Sequence, residues 1–530
     1  MITTIEHFLH FQKTQHVSQF LLYSFYVWGI MLPRSLFAGI YYLIKAEDLK
    51  HGLEKRKQIL LNERWILFLA IAALVLTCLL ITRTSTSLSI IGILVATFLI
   101  YLCLPYRQTR NIRSKIIHLF PYYRHLRLMH IDKFNSWKPS LNIAYITIFN
   151  PPNLIEFENK LKAIRNCFIE SGIKFKIIGV VDGIGAYQNS NLAVDITKKY
   201  CDIVATGNFQ RKRMNLQWMI NQSWDMSLIN EYNKESTIIH FIDDDTVPGS
   251  SRLVNNLTKN FANPKIGGVT TKQYVHKPKY FWQHVMQIFE SARNNGSQAS
   301  LSLFGSVGCM PGRWYCVRGS LITKEFAREL ATEKISFFGF SKRLRDPGDD
   351  RLVTIQVQMN NLYTIMESNA VVYTETPRKY KQLWGMVTRW ARSSNIYTVQ
   401  YTLRMIKKPN CIPTLILYWS NIVLAFWTLY IAGPYFIYCI LFGSKTVSLQ
   451  LSLLIAVSGM SITMCIRQLP LIIAQPRYFK WMSILGFLGI FMQFVQVYGI
   501  LTFLSSKWTG VRKMGLGEKS SNYIAEKISL

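Results

Sequence analysis

The chain has 530 residues, half of them hydrophobic, and it carries 61 Lys and Arg against 29 Asp and Glu, for a formal net charge of +32. This length allows several domains, or one domain beside a membrane part, and the hydrophobic fraction is high for a purely soluble protein. The basic excess suits anionic lipid or a phosphorylated substrate. Nucleic acid ranks last, since no zinc-finger spacing or stacking platform accompanies the charge. Nine scattered cysteines without paired metal spacing indicate a reduced, cytosolic environment rather than a disulfide framework.

The first 106 residues contain the apolar segments predicted to contact or span a membrane. Residues 65–82 and 88–106 are apolar runs long enough to span a bilayer, and the short "RTSTS" between them predicts a hairpin turn. Basic stretches flank this pair at 45–64 and 107–127, and the positive-inside rule places both in the cytoplasm. The N-terminal segment, 1–64, contains an apolar run at 17–44 that fits either an interfacial helix or a further span.

The long middle segment, 107–377, lacks spans and is predicted to be an α/β domain with a mostly parallel sheet. Short β-rich runs alternate in it with a helical pattern, which is typical of βαβ units buried on both faces. The runs are "LNIAYITIF", "KFKIIGVVDG", "STIIHFIDDD" and "NNLYTIMESNAVVY", and the helical pattern is "LIEFENKLKAIRNCFIESG". Ligands of such sheets bind at the carboxyl ends of the strands.

Carboxylates gather at two of these strand ends. Asp182 follows one strand, and Asp243, Asp244 and Asp245 follow another. Neighbouring like charges repel and each is costly to bury unpaired, so packing gives no reason for the triplet. A hard divalent cation such as Mg²⁺ or Mn²⁺ would, because it takes carboxylate oxygens and shares its shell with substrate phosphates. The alternative is an acidic turn in water.

Apolar segments return after residue 410. We predict amphipathic interface helices over 378–412, transmembrane helices over 413–466, and an interfacial or re-entrant helix within 467–506. If the last run also crossed, the basic tail at 507–530 would end outside the cell; its basic flank favours the cytosolic side.

Taken together, these motifs resemble the processive family-2 glycosyltransferases, namely hyaluronan synthases, chitin-type synthases and the mannuronan synthase of alginate assembly. The resemblance covers roughly residues 60 to 515 and rests on the order of the motifs between the membrane segments. They are "VVDG", "RKRMNL" with Arg211 in place of a Gly, "DDDTV", "GDDR", "TRW" with Met386 and Val387 in place of glutamines, and "WTGVR".

The resemblance implies a GT-A type nucleotide-sugar domain, inserted between transmembrane helices, that acts as an inverting hexosyltransferase. It implies donor contacts by six residues and a metal site of two. The donor residues are Asp182, Lys212, Arg213, Asp243, Trp508 and Arg512, and the metal ligands are Asp243 and Asp245, holding Mg²⁺ or Mn²⁺. Arginine suits a bidentate grip on phosphate. For any one of these cations, the alternative is a solvated or lipid-facing charge.

The acid motif and a Gly-rich segment supply the acceptor side in this resemblance. Asp350 is the implied general base, with Asp349 and Arg351 beside it; Asp349 alternatively caps a helix or pairs with Arg351. The segment 305–319 resembles the acceptor-side loop and places Cys309 at the sugar, or else as a small buried hydrophobe. The acceptor contacts continue in Arg389 and Trp390, whose ring suits sugar stacking or core packing.

The implied function is polymerisation of a sugar from a nucleoside-diphosphate donor, with the polysaccharide passed across the plasma (inner) membrane in which the protein is embedded. The motifs "GDDR" and "VVDG" lean to a UDP-sugar and a hyaluronan-like product, whereas "GGVTT" and "PGR" lean to the mannuronan side and a GDP-sugar. Transfer to a lipid-linked acceptor is the second enzyme hypothesis. A transporter with a cytosolic regulatory domain is the alternative from another class, and it would need polar residues within the spans.

Overall fold

The computed structural model describes the middle of the chain and parts of its C-terminal third. The described residues are 137–185, 187, 189–207, 212–337, 340–343, 348–427, 478, 481, 485–502 and 526–528. The N-terminal segment, the spans predicted at 65–82, 88–106 and 446–466, and the tail motif with Trp508 and Arg512 lie outside this range.

The first half of the domain is a parallel βαβ arrangement. It consists of β1 (Leu141–Phe149), α1 (Leu154–Ser171), β2 (Phe175–Asp182), α2 (Ser190–Tyr200), β3 (Ile203–Gly207), α3 (Lys212–Asp225) and β4 (Thr237–Asp243). The strands lie side by side in the order β3-β2-β1-β4, and each neighbouring pair is parallel. The predicted strands and the predicted helix in this half are confirmed, and the helix begins after Asn153, whose side chain accepts the backbone N–H groups of Ile155 and Glu156.

The second half adds antiparallel strands and the helices that follow the acid motif. Its elements are β5 (Thr246–Pro248), α4 (Leu253–Thr258), β6 (Ile266–Val275), α5 (Phe281–Ala292), α6 (Ala299–Leu303), β7 (Trp314–Arg318), α7 (Lys324–Thr332), β8 (Lys334–Phe337), β9 (Phe340–Arg343), α8 (Asp349–Met359) and β10 (Tyr363–Thr374). After them come α9 (Tyr380–Met405), α10 (Ile412–Trp427), α11 (Leu485–Leu501) and β11 (Glu526–Ile528).

The main sheet is mixed, not mostly parallel as the sequence predicted. Its order is β11-β3-β2-β1-β4-β7-β6-β10-β5, and β8 pairs with β9 separately. The difference arises at β7, which runs antiparallel to both β4 and β6, and at the two edge strands, since β5 is antiparallel to β10 and β11 to β3. Its five residues, "WYCVR", lie inside the segment interpreted as an acceptor loop. That segment is therefore a loop only up to Arg313, and a fully buried strand after it.

The chain divides into two compact units. One contains the sheet and includes Leu301–Ile422; the other includes Ser291–Ser300 and Val423–Phe494. Over the part of the chain that the structure describes, no helix combines the length and apolar character needed to cross a membrane. Helix α10 begins one residue before the segment predicted as transmembrane helices at 413–466, and α11 lies within the segment predicted at 467–506.

A buried ion pair joins four helices of the sheet-containing unit. The guanidinium of Arg213, in the first turn of α3, donates to Glu333 Oε2 at 2.8 Å and to the carbonyl oxygen of Gly348 at 3.3 Å. Glu333 follows α7 and also accepts the hydroxyls of Tyr397 and Tyr401 from α9, at 2.7 and 2.9 Å. Gly348 is the residue before α8, so α3, α7, α8 and α9 meet at one charge pair.

We predict that Arg213→Met lowers the free energy of unfolding by about 3–5 kcal/mol, because it leaves the buried Glu333 carboxylate without its cation. The matched control is Lys324→Met, which breaks an exposed pair with Asp225 and should cost less than about 1 kcal/mol. Denaturant unfolding of both variants, compared with the parent chain, measures the difference. Equal stability of the two variants would contradict a structural role for Arg213.

Candidate active site

The site lies where two parallel strands end at the same edge of the sheet. Asp182 ends β2 and Asp243 ends β4, on either side of β1. The Asp182 carboxylate is buried and accepts a hydrogen bond of 3.3 Å from the Asn215 side-chain amide, one helical turn into α3. Helix α3 therefore contacts both strand ends, and its first residue is Lys212.

Lys212 bridges two carboxylates that lie 106 positions apart in the sequence, at Asp243 and Asp349. Its ammonium lies 2.7 Å from Asp243 Oδ1 and 3.0 Å from Asp349 Oδ2. The side chains of Lys212 and Asp243 each remain 31% exposed, and that of Asp349 is 13% exposed. The group is thus open to solvent on one side, where a charged ligand would approach.

The pKa values of Lys212, Asp243 and Asp349 are shifted by burial and by the charges around them. Burial would lower the pKa of Lys212, but Asp243 and Asp349 outweigh it and raise that pKa above its ordinary value. Burial raises the pKa of Asp243, and although Lys212 opposes this, the charges of Asp349 and Asp244 keep the pKa above its ordinary value. For Asp349, burial is outweighed by Lys212 and Arg213, which hold its pKa below the ordinary value.

The other two carboxylates of the triplet differ in environment. Asp244 is buried and its Oδ2 accepts the backbone N–H of Phe149 at 3.1 Å, which fastens the turn to the end of β1. Asp245 is half-buried, immediately before β5. Asp243 and Asp245 are therefore the two carboxylates of the triplet that are partly exposed. Among the described residues no group of three or more His, Cys, Asp or Glu side chains is arranged to hold a metal ion.

Two carboxylates nevertheless fit the implied Mg²⁺ or Mn²⁺. Such ions are usually bound through one or two carboxylates and complete their shell with water and substrate phosphates. Gly312 keeps space for an ion and its ligands beside Asp243. A Cβ added there would lie 3.0 Å from the Lys212 ammonium and 3.1 Å from Asp243 Oδ2. Gly312 thus leaves free the volume beside the half-exposed Asp243 carboxylate.

The acid motif opens α8, with Gly348 as its N-cap at φ 123° and Asp349 as its first residue. Asp350 Oδ1 accepts the backbone N–H of Arg351 at 2.8 Å, and Asp350 Oδ2 accepts the thiol of Cys309 at 3.5 Å. The structure thus brings together the predicted base and the predicted acceptor-loop cysteine. Asp349 pairs with Lys212 rather than with Arg351, which was one of the alternatives.

Three further predicted residues are Arg351, which ends this motif, and Arg389 and Trp390 on α9. The Arg351 guanidinium packs over the Tyr418 ring at 4.9 Å and donates to Ser394 Oγ at 3.2 Å. Trp390 is half-buried on α9, with the Arg313 guanidinium 5.7 Å from its ring. Arg389 precedes it, and its Nε is buried without a hydrogen-bond partner among the described residues.

A single loop connects these groups. The carbonyl oxygen of Arg313 accepts the backbone N–H of Asp243 at 3.2 Å, so the residue that packs on Trp390 also contacts the aspartate triplet. The carbonyl oxygen of Gly308, beside Cys309, accepts the hydroxyl of Tyr418. The donor-side and acceptor-side motifs are therefore tied to one segment, 305–313.

The sequence interpretation missed two kinds of site residue. Glu333 carried no signal, since an isolated Glu at the end of a helix is common; its role appears only when Arg213 is found beside it. Gly312 was quoted within "PGR" only as a resemblance, although a Gly beside a basic residue and a strand is the signal for a close approach. Arg213 was predicted to contact the donor, and in the structure its guanidinium donates hydrogen bonds to protein groups.

Comparison with known proteins gives one family. Residues 202–393 match the family model described as glycosyltransferase like family 2. No curated protein matches the sequence. Solved structures similar to it include a mannosyltransferase from Pyrobaculum calidifontis, in complex with GDP-Man and Mn²⁺; it is 15% identical, with a TM-score of 0.46, and the match covers 73% of this chain and 94% of that chain. The matched residues include Lys212, Asp243 and the acid motif, so the chain carries a glycosyltransferase family 2-like domain and is a glycosyltransferase.

Proposed function

We propose that this protein polymerises a sugar from a nucleoside-diphosphate donor, with a divalent metal ion, into a polysaccharide that leaves the cell across the plasma membrane. The observation that carries the proposal is the bridge of Lys212 between Asp243 and Asp349, since it places one cation and two carboxylates at the open end of the sheet. A UDP-sugar with a hyaluronan-like product is the first assignment, and a GDP-sugar is the alternative.

The donor side is supported by charge. A glycosyl donor loses a nucleoside diphosphate, and negative charge grows on that leaving group as the bond to the anomeric carbon breaks. A divalent ion held by Asp243 and Asp245 would neutralise this charge. Lys212 lies beside Asp243 and would add a charge-assisted hydrogen bond to a phosphate oxygen. Asp182, at the neighbouring strand end and positioned by Asn215, would accept a nucleobase N–H.

The acceptor side is supported by the pairing of Cys309 with Asp350. A general base must reach the proton that it removes, and the carboxylate of Asp350 faces the loop that the resemblance assigns to the acceptor sugar. The acceptor hydroxyl would give its proton to Asp350 while its oxygen forms the new bond to the anomeric carbon. Inversion at that carbon follows from this single displacement.

Membrane contact is supported by exposed apolar side chains near the junction of α9 and α10. These are Leu403, Ile406, Ile416 and Trp419, and two lysines follow Ile406. Apolar side chains beside basic ones suit the headgroup region of a bilayer, where they bury carbon surface and meet anionic lipid. The spans on either side of the catalytic domain, and its cytosolic placement, belong to this proposal.

A donor screen tests the function. The purified full chain, with Mn²⁺ or Mg²⁺, is offered radiolabelled UDP- and GDP-sugars, and its products are sized on a gel. We expect high-molecular-weight product from a UDP-sugar and none from Asp245→Asn, since that change removes a metal ligand. Polymer from a GDP-sugar moves the assignment to the mannuronan side, and nucleotide release without polymer favours a lipid-linked acceptor. Full activity of Asp245→Asn, or full activity of the parent chain in excess EDTA, would refute the metal assignment.

The general base is tested by separating binding from turnover. Asp350→Asn keeps the shape of the side chain but cannot accept the proton, so turnover should fall by about 10²-fold or more while donor nucleotide binding persists. Arg512→Ala should weaken nucleotide binding as well as activity, because the resemblance places that cation at the diphosphate. Calorimetry with the nucleoside diphosphate, beside initial rates, measures both. If Asp350→Asn loses nucleotide binding as fully as Arg512→Ala, the role of base is wrong.

Topology is tested by cysteine labelling in intact cells. A cysteine at Gly515 should resist a membrane-impermeant reagent until the cells are opened, because the basic tail is proposed to be cytosolic. Ser85→Cys, in the turn between the first two predicted spans, is the matched control and should label from outside. Labelling of the cysteine at position 515 in intact cells would place the tail outside and show that the last apolar run crosses.

A further inference from the structure

The Lys212 ammonium contacts Asp243, the carboxylate that is proposed to bind the metal ion. The ammonium lies 2.7 Å from Asp243 Oδ1, the distance of a charge-assisted hydrogen bond. A Cβ at Gly312 would come within 3.0 Å of this ammonium and 3.1 Å of Asp243 Oδ2, so glycine leaves both groups in place. A metal ion arriving alone would meet this ammonium at the same oxygen. The two cations repel each other, so each weakens the binding of the other at Asp243.

A nucleoside diphosphate changes this balance. It brings phosphate oxygens that complete the shell of the metal ion, and it offers the ammonium a new anionic partner. Lys212 retains Asp349, 3.0 Å away on α8, while it turns from Asp243 to a phosphate. The bridge is therefore suited to be broken by the metal and the diphosphate together rather than by either alone.

We infer that Lys212 is a positioning residue that blocks the metal site until the donor arrives, and so couples metal binding to nucleotide binding. This inference rests on the proposed function, since it takes Asp243 as a metal ligand and a nucleoside diphosphate as the leaving group. It adds to the proposed contact with the donor, because the same lysine would weaken binding of the metal ion alone and strengthen binding of the nucleoside diphosphate. Lys212 disfavours free Mn²⁺ and favours Mn²⁺ with the diphosphate.

The experiment titrates the full-length protein with Mn²⁺ alone, followed by the electron paramagnetic resonance signal of the free ion, and with UDP or GDP in saturating Mn²⁺, followed by calorimetry. Lys212→Met should bind Mn²⁺ alone about 10-fold more tightly than the parent chain, and the nucleotide about 10-fold more weakly, within the usual range of coupling between sites. Lys324→Met, which removes a lysine from an exposed pair elsewhere, should match the parent in both titrations.

Salt separates direct contact from a distant charge effect. The titrations are run at about 0.1 M and about 1 M salt, where the Debye length is about 10 Å and about 3 Å. A contact at Asp243 keeps its effect at high salt, whereas the loss of a remote charge does not. Mn²⁺ binding that is unchanged or weaker in Lys212→Met, or tighter only at low salt, overturns the inference and leaves the proposed function intact.

Two further outcomes are distinguishable. If the parent chain binds neither Mn²⁺ nor nucleotide, the proposed function fails and this inference fails with it. If Lys212→Met does not fold, because Asp243 and Asp349 repel each other without their cation, Lys212→Gln replaces it and keeps N–H donors for both carboxylates. The same opposite shifts are expected of Lys212→Gln, and their absence counts against the inference in the same way.

Discussion

The bridge from Lys212 to Asp243 and Asp349 is the interaction on which the site depends. Two ionised carboxylates this close in a half-buried cleft repel each other, and the cation between them offsets that repulsion. The lysine therefore stabilises the approach of the start of α8 to the end of β4. It also leaves the pair unequal, since Asp349 stays ionised beside two cations while Asp243 carries the repulsion of its neighbours.

The unequal roles of Lys212 and its neighbour Arg213 follow from helix geometry. Successive residues of an α-helix point about 100° apart. One side chain of this pair consequently faces the open end of the sheet, and the other enters the layer of helices, where Glu333 and Tyr397 receive it. Arg213 also donates to the carbonyl oxygen of Gly348, one residue before the acid motif. The buried pair thus fixes the two helix starts whose side chains form the bridge.

What the sequence could predict was local, and what it could not predict depends on partners far along the chain. The hydrophobic run of β1 and the Asn-capped α1 were identified because their signals lie within one element. Strand β7 was not, since "WYCVR" has apolar residues on both faces, and its aromatic and Gly-rich surroundings are equally typical of a loop. The acidic residues at the strand ends were identified as candidate site residues from their types and positions, and those of "GDDR" from the resemblance.

Their partners could not be assigned in the same way. Nothing within "GDDR" distinguishes the residue that binds Lys212 from the one that accepts the thiol of Cys309, because both are aspartates at the start of one helix. The direction of each is set by the first turn of α8. Asp349 points to α3, and Asp350 points to the loop that ends at β7. In the proposed function, this dipeptide would serve the leaving group on one side, through Lys212, and the acceptor on the other, as a single displacement at the anomeric carbon requires.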